Sequence, residues 1–86
     1  LMNHIFDSID NLFITSGWNV NKKDEYKRIY SLKHFELDNF IIEYLPYRMR
    51  FKAVVPLNDT SFWAYILSES VYDYLYEHLS NYRKQK

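Results

Sequence analysis

The sequence predicts an α+β domain in which two helices cover one face of an antiparallel sheet. Three observations predict it. Apolar residues recur with a helical period at both ends of the chain. From Lys27 the period becomes two, as in strands with one wet face. Polar or proline-bearing breaks divide that middle stretch into three or four strands, so the expected order is α-β-β-β(-β)-α.

The first helix is expected over residues 2–16. Met2, Ile5, Phe6, Ile9, Leu12 and Phe13 form one stripe on a helical wheel, with His4, Asp7 and Asn11 opposite. Thr15-Ser16-Gly17 ends it, placing the only glycine of the chain just past the last turn. Trp18 and Val20 suggest a short strand before "NKKDE", read as a polar turn.

"KRIYSLKHFEL" and "FIIEYL" flank Asp38-Asn39, residues that tolerate the left-handed angles of a two-residue hairpin. That register sets Phe35 beside Ile42, Leu37 beside Phe40, and His34 facing Glu43. Pro46 interrupts the ladder and marks a bend, bulge or connection. "YRMRFKAVV", residues 47–55, then alternates: Tyr47, Met49, Phe51, Ala53 and Val55 point one way, and Arg48, Arg50 and Lys52 the other. "PLNDT" is a turn and "SFWAYIL" a further strand.

Ser70-Val71-Tyr72-Asp73 has the form of a capping box opening the last helix. Val71, Leu75, Leu79 and Tyr82 form its apolar stripe, with Tyr72 core-side and Tyr74, Tyr76 and His78 beside it. Asp73, Glu77 and Ser80 face water. Arg83, Lys84 and Lys86 suit the negative end of the helix dipole. Ile9, Phe13, Phe51, Leu75 and Leu79 are expected in one core. Double-stranded RNA-binding domains share this broad order, but they grip phosphates through a Lys-rich start of the last helix. Here that start is "SESVYDY", acidic and without lysine, which excludes the comparison.

Eighty-six residues make one domain, 1–86, with Met2 expected as the native start and Leu1 as an addition before it. Aromatic residues are 20% of the chain, enough rings to fill a core in so short a chain. Eleven cations balance eleven anions, so the basic footprint of a typical nucleic-acid binder is absent. Residues 1–45 carry five cations and seven anions, and residues 46–86 six and four. There is no cysteine, which removes disulfides, thiolate catalysis and cysteine zinc sites and suits a reducing cytoplasm. Apolar runs are too short for a membrane span, and no signal peptide is expected, since no basic n-region with an apolar h-region stands at residues 1–16. Abundant Asn, Ile, Lys and Tyr suggest an AT-rich coding sequence, such as low-GC bacteria and their phages carry.

No enzyme is expected. A hydrolytic site needs a nucleophile, a base and an oxyanion hole, and a chain with one glycine has few turns to build the last. The histidines His4, His34 and His78 assemble at most two metal ligands at a time, so no metal or other cofactor is expected.

The cationic row by itself is what any half-wet strand shows, and lysines also guard sheet edges. The next strand raises it. Phe62, Ala64 and Ile66 are assigned to the core, leaving Trp63 and Tyr65 on the open face beside Arg48, Arg50 and Lys52. A slip of one residue would reverse that assignment. Trp, Tyr and Arg dominate binding hot spots. The expectation is therefore a small non-enzymatic regulator or inhibitor of a larger protein, phage- or mobile-element-encoded. It binds an acidic patch through this face or an edge strand, or pairs with a second copy as a homodimer. The alternative is a single-stranded nucleic-acid binder, with bases stacked on Trp63 and Tyr65 and phosphates held by the cations.

Overall fold

A computed structural model describes residues 4–32, 35–57 and 60–85, with the side chains of 35–38, 57, 60 and 82–85 outside the description. Its order is α1 (Asp7–Thr15), β1 (Asn19–Asp24), β2 (Lys27–Leu32), β3 (Phe35–Leu45), β4 (Arg50–Leu57), β5 (Thr60–Leu67), a 3-10 turn (Ser68–Ser70) and α2 (Val71–Gln85). The five strands form one antiparallel meander in sequence order, β1-β2-β3-β4-β5. The α+β class and a helix towards each end agree with the sequence reading, but α1 begins at Asp7, and residues 4–6, expected in the helix, form a turn before it.

Helix α1 stops where its glycine stands. The Trp18 amide donates to the Phe13 carbonyl at 2.9 Å and the Gly17 amide to the Ile14 carbonyl at 3.0 Å. Gly17 has φ 89°, the left-handed angle this closure requires. The Trp18 ring then meets Phe13 edge-on at 5.6 Å, so the cap is fastened by an apolar contact as well.

Both helices lie on one face of the sheet, as their single apolar stripes require. Phe6, just before α1, Ile9, Leu12 and Phe13 from α1, and Val71, Leu75 and Leu79 from α2 are buried with Tyr30, Phe40, Ile42, Phe51, Ala53, Val55 and Ile66 from the strands. The five expected core residues, Ile9, Phe13, Phe51, Leu75 and Leu79, are all among them. Phe13 stacks on Tyr30 at 4.0 Å and meets Phe40 at 5.1 Å, which ties α1 to β2 and β3.

Several expectations are corrected. Residues Asn21–Asp24, read as a turn, continue β1; they are exposed because β1 is the edge of the sheet. The hairpin does not turn at Asp38-Asn39, since β3 runs through both and Asn39 pairs with Ser31. Tyr30 opposes Phe40 and Arg28 opposes Ile42, in place of Phe35 beside Ile42 and Leu37 beside Phe40. The reason is packing: this register stacks the Tyr30 and Phe40 rings under Phe13, which outweighs local turn preference. Tyr72, expected on the core side, is exposed. The turn read at "PLNDT" is shorter than expected: Pro56 and Leu57 continue β4 and Thr60 opens β5, pairing with Leu57. The expected positions of Met2 and Tyr82 in their helical stripes, the charges of Arg83, Lys84 and Lys86, the His34–Glu43 pairing and residues 58–59 lie outside the described residues.

Strand β4 begins at Arg50, not Tyr47. Residues 46–49 form the β3–β4 turn, with the Arg48 amide donating to the Leu45 carbonyl at 3.1 Å. Pro46 cannot continue the ladder, and Met49 takes φ 50° to close the reversal. Tyr47 and Met49 are accordingly exposed instead of pointing inward. Arg48 leaves the strand row and joins the turn.

Candidate functional site: the open face of the sheet

Inward residues face the helices, so the alternate residues of each strand form an outer face that no described helix covers. Cross-strand register orders that face into rows. Ile29, Ile41, Val54 and Trp63 make an apolar row across β2 to β5. Lys27, Glu43, Lys52 and Tyr65 make the next, and Leu45, Arg50 and Leu67 the one after.

Trp63 and Tyr65 lie on this face, as assigned, with 59% and 43% of their surface exposed. Their rings meet edge-to-face with centroids 5.2 Å apart. The Lys52 ammonium stands 5.7 Å from the Trp63 ring centre, and the Arg48 guanidinium carbon 5.9 Å from that of Tyr65. Both distances fall within cation–π range. Four of the five expected site residues thus form one connected group. Arg48 reaches it from the turn, not from a strand. Arg50 shares the outer face by register, between Leu45 and Leu67, at the margin of the group.

A hollow of about 320 Å³ opens beside Tyr65. Glu43, Leu45 and Lys52 border it from the sheet, and Pro46, Tyr47 and Arg48 from the β3–β4 turn. The Ser68 hydroxyl donates to the Met49 carbonyl at 3.0 Å and fastens the turn to the segment after β5. The face therefore offers rings, an apolar row, cations and one carboxylate. That combination can hold a surface of mixed apolar and acidic character. Among the described residues no three metal-ligating side chains converge.

The sequence reading missed Glu43, Tyr47 and the apolar row. The signal for the row was present in "FIIEYL", where apolar residues occupy both parities and so predict a strand that is apolar on both faces.

A polar cluster on the helix side was also missed. The Tyr30 hydroxyl donates to Asp10 Oδ1 at 2.6 Å, and Arg28 Nε donates to Asp10 Oδ2 at 3.3 Å. Arg28 also donates to the Asp24 carbonyl at 2.7 Å and lies over the Phe6 ring at 4.4 Å. Asp10 and Arg28 are buried, so the pair is internal and structural. Burial, then the hydrogen bond to the Asp10 carboxylate, holds the Tyr30 phenol far above the usual tyrosine range. The cluster's sequence signal was Asp10 on the flank of the α1 stripe, i+4 from Phe6 and i−3 from Phe13.

The fold and this face define a small α+β domain with one helix-covered and one open, ring-bearing sheet surface. Comparison with protein-family models, with curated proteins and with solved structures gave no match for the chain. Among the described residues no helix is long and apolar enough to cross a membrane.

Proposed function

We propose that the chain is a non-enzymatic protein-interaction module, a small regulator or inhibitor that docks its outer sheet face on an acidic surface of a larger protein. The carrying observation is the Trp63–Tyr65 pair, exposed on the sheet and flanked by Lys52 and Arg48. Rings held edge-to-face and capped by cations are ordered before binding, so little entropy is lost when a partner covers them. The apolar row Ile29-Ile41-Val54 extends the contact, and Arg48, Arg50 and Lys52 supply the charge that an acidic patch meets. The cysteine-free composition fits work in a reducing cytoplasm.

Single-stranded nucleic acid is the weaker reading. Bases stack on open ring faces, and here Lys52 and Arg48 stand over those faces. Glu43, between Lys27 and Lys52, also breaks the run of positive charge.

The test is affinity capture with the native chain and with folded Trp63→Ala, followed by binding of the captured partner at rising salt. A partner that is held by the native chain and lost from the variant supports the proposal. Equal capture by both removes the face. Binding of an oligonucleotide, weakening steeply with salt, would replace the reading with the nucleic-acid one.

A further inference from the structure

The two edges of the sheet are built differently. β1 carries Lys22, Lys23 and Asp24, all exposed, and its register shifts between Lys22 and Asp24. Charge and a bulge are the usual means by which an edge refuses a further strand. β5, "TSFWAYIL", has no charge and no proline, and its ladder with β4 runs from Arg50–Leu67 to Leu57–Thr60 without a shift. It supplies Phe62, Trp63, Tyr65 and Leu67, four of the nine exposed large apolar residues among the described ones. The apolar character continues on the helix side, where Phe62 meets the His78 ring at 5.8 Å and His78 meets Tyr74 at 4.4 Å. Among the described residues no strand pairs with the outer side of β5.

We infer that β5 is a homodimerisation strand: two copies pair β5 to β5, antiparallel, about a two-fold axis at Ala64, joining their sheets into one. An unpaired strand edge is satisfied by another strand, and the chemistry of this one selects its own copy. Directly opposed residues must share a face, so the axis relates Trp63 to Tyr65 of the second copy and Phe62 to Ile66 of the second copy. The outer face then pairs ring with ring, and the inner face pairs Phe62, 36% exposed in the single chain, with an aliphatic side chain. Only Ala64, the smallest side chain of the strand, must face itself. No like charges meet along the strand, and a chain of net charge zero does not repel its copy. β1, with Lys22, Lys23 and Asp24 and a shifted register, offers no such uncharged, regular edge.

This inference rests on the backbone edge and not on docking to an acidic partner, and its readouts are separate. Sedimentation of the native chain should give twice its 10.6 kDa mass at micromolar concentration. The chain lacks cysteine, so a single introduced thiol reports its own neighbour. Opposed residues of an antiparallel pair have Cα atoms about 4.5–5.5 Å apart, within the span of a disulfide. Mild oxidation should therefore convert Ala64→Cys to a covalent dimer and leave Asn21→Cys, on β1, a single chain. Arg50→Glu, which should weaken capture of an acidic partner, should leave the dimer intact. A native chain that sediments at 10.6 kDa up to about millimolar concentration overturns the inference. So does cross-linking through Asn21→Cys with none through Ala64→Cys.

Discussion

Lys52 and Trp63 stand diagonally across the β4–β5 ladder, with the ammonium 5.7 Å from the ring centre. Diagonal neighbours on one sheet face are within reach of long and aromatic side chains. The pair fixes a large ring in the open without burying it. A ring so exposed contributes little to folding, and in the proposed reading it anchors the partner.

Trp63→Ala should therefore leave the thermal melt of the single chain, taken at concentrations below self-pairing, nearly unchanged and cost at least about 2 kcal/mol of partner affinity. Arg50→Glu should chiefly slow association and alter its salt dependence, as charges at the margin of an interface do. Melting and affinity measured on the same preparations check both. A large loss of stability in Trp63→Ala would mean that the ring supports the fold.

The core is tested by truncation. Phe51 and Leu75 are buried from opposite layers, and replacing either by Ala should cost about 2–5 kcal/mol in denaturant melts. That is a large part of the stability a small domain has. Melts that matched the parent would refute the packing of α2 on β4.

Asp10 holds both Arg28 and Tyr30, so its removal strands a buried cation and a hydroxyl. Asp10→Ala should destabilise by about 3–5 kcal/mol, whereas Asp10→Leu combined with Arg28→Met should cost less than the single change. Urea melts of the two variants decide the order.

Tyr30 also sets a pH dependence. Its folded-state phenol is raised above the usual 10.0, by burial first and the Asp10 hydrogen bond second. The unfolded chain therefore releases the Tyr30 proton at lower pH than the folded one. Stability from this group is complete below 10.0 and falls as pH climbs from there toward the folded value. Tyr30→Phe, weaker at neutral pH, should lose less between neutral and strongly alkaline solution than the native chain, as read by melts along a pH series.

Met49 is exposed and takes φ 50° in the β3–β4 turn. Met49→Gly removes a left-handed side chain and little burial, so stability should rise by up to about 1 kcal/mol. A melt lower than the parent's would show that the Met49 side chain supports the turn.

The sequence by itself determined the fold class, both helices, the Gly17 stop and the face on which Trp63 and Tyr65 lie. Each of these is encoded locally, in a period, a cap or the strict alternation of an unbulged strand. Only the tertiary structure decided how β2 meets β3. The turn expected at Asp38-Asn39 would have sent odd-numbered residues of that stretch inward, whereas the observed register buries Arg28 and Tyr30. That shift hid the Asp10–Arg28–Tyr30 cluster from the sequence reading. It also decided that Arg48 acts from a turn, because Pro46 and Met49 reverse the chain before β4 begins. Register is a long-range property: Tyr30 pairs with Phe40 because Phe13, from a different element, packs against both rings. No local pattern carries that contact, so the strands' partners had to come from the packed core.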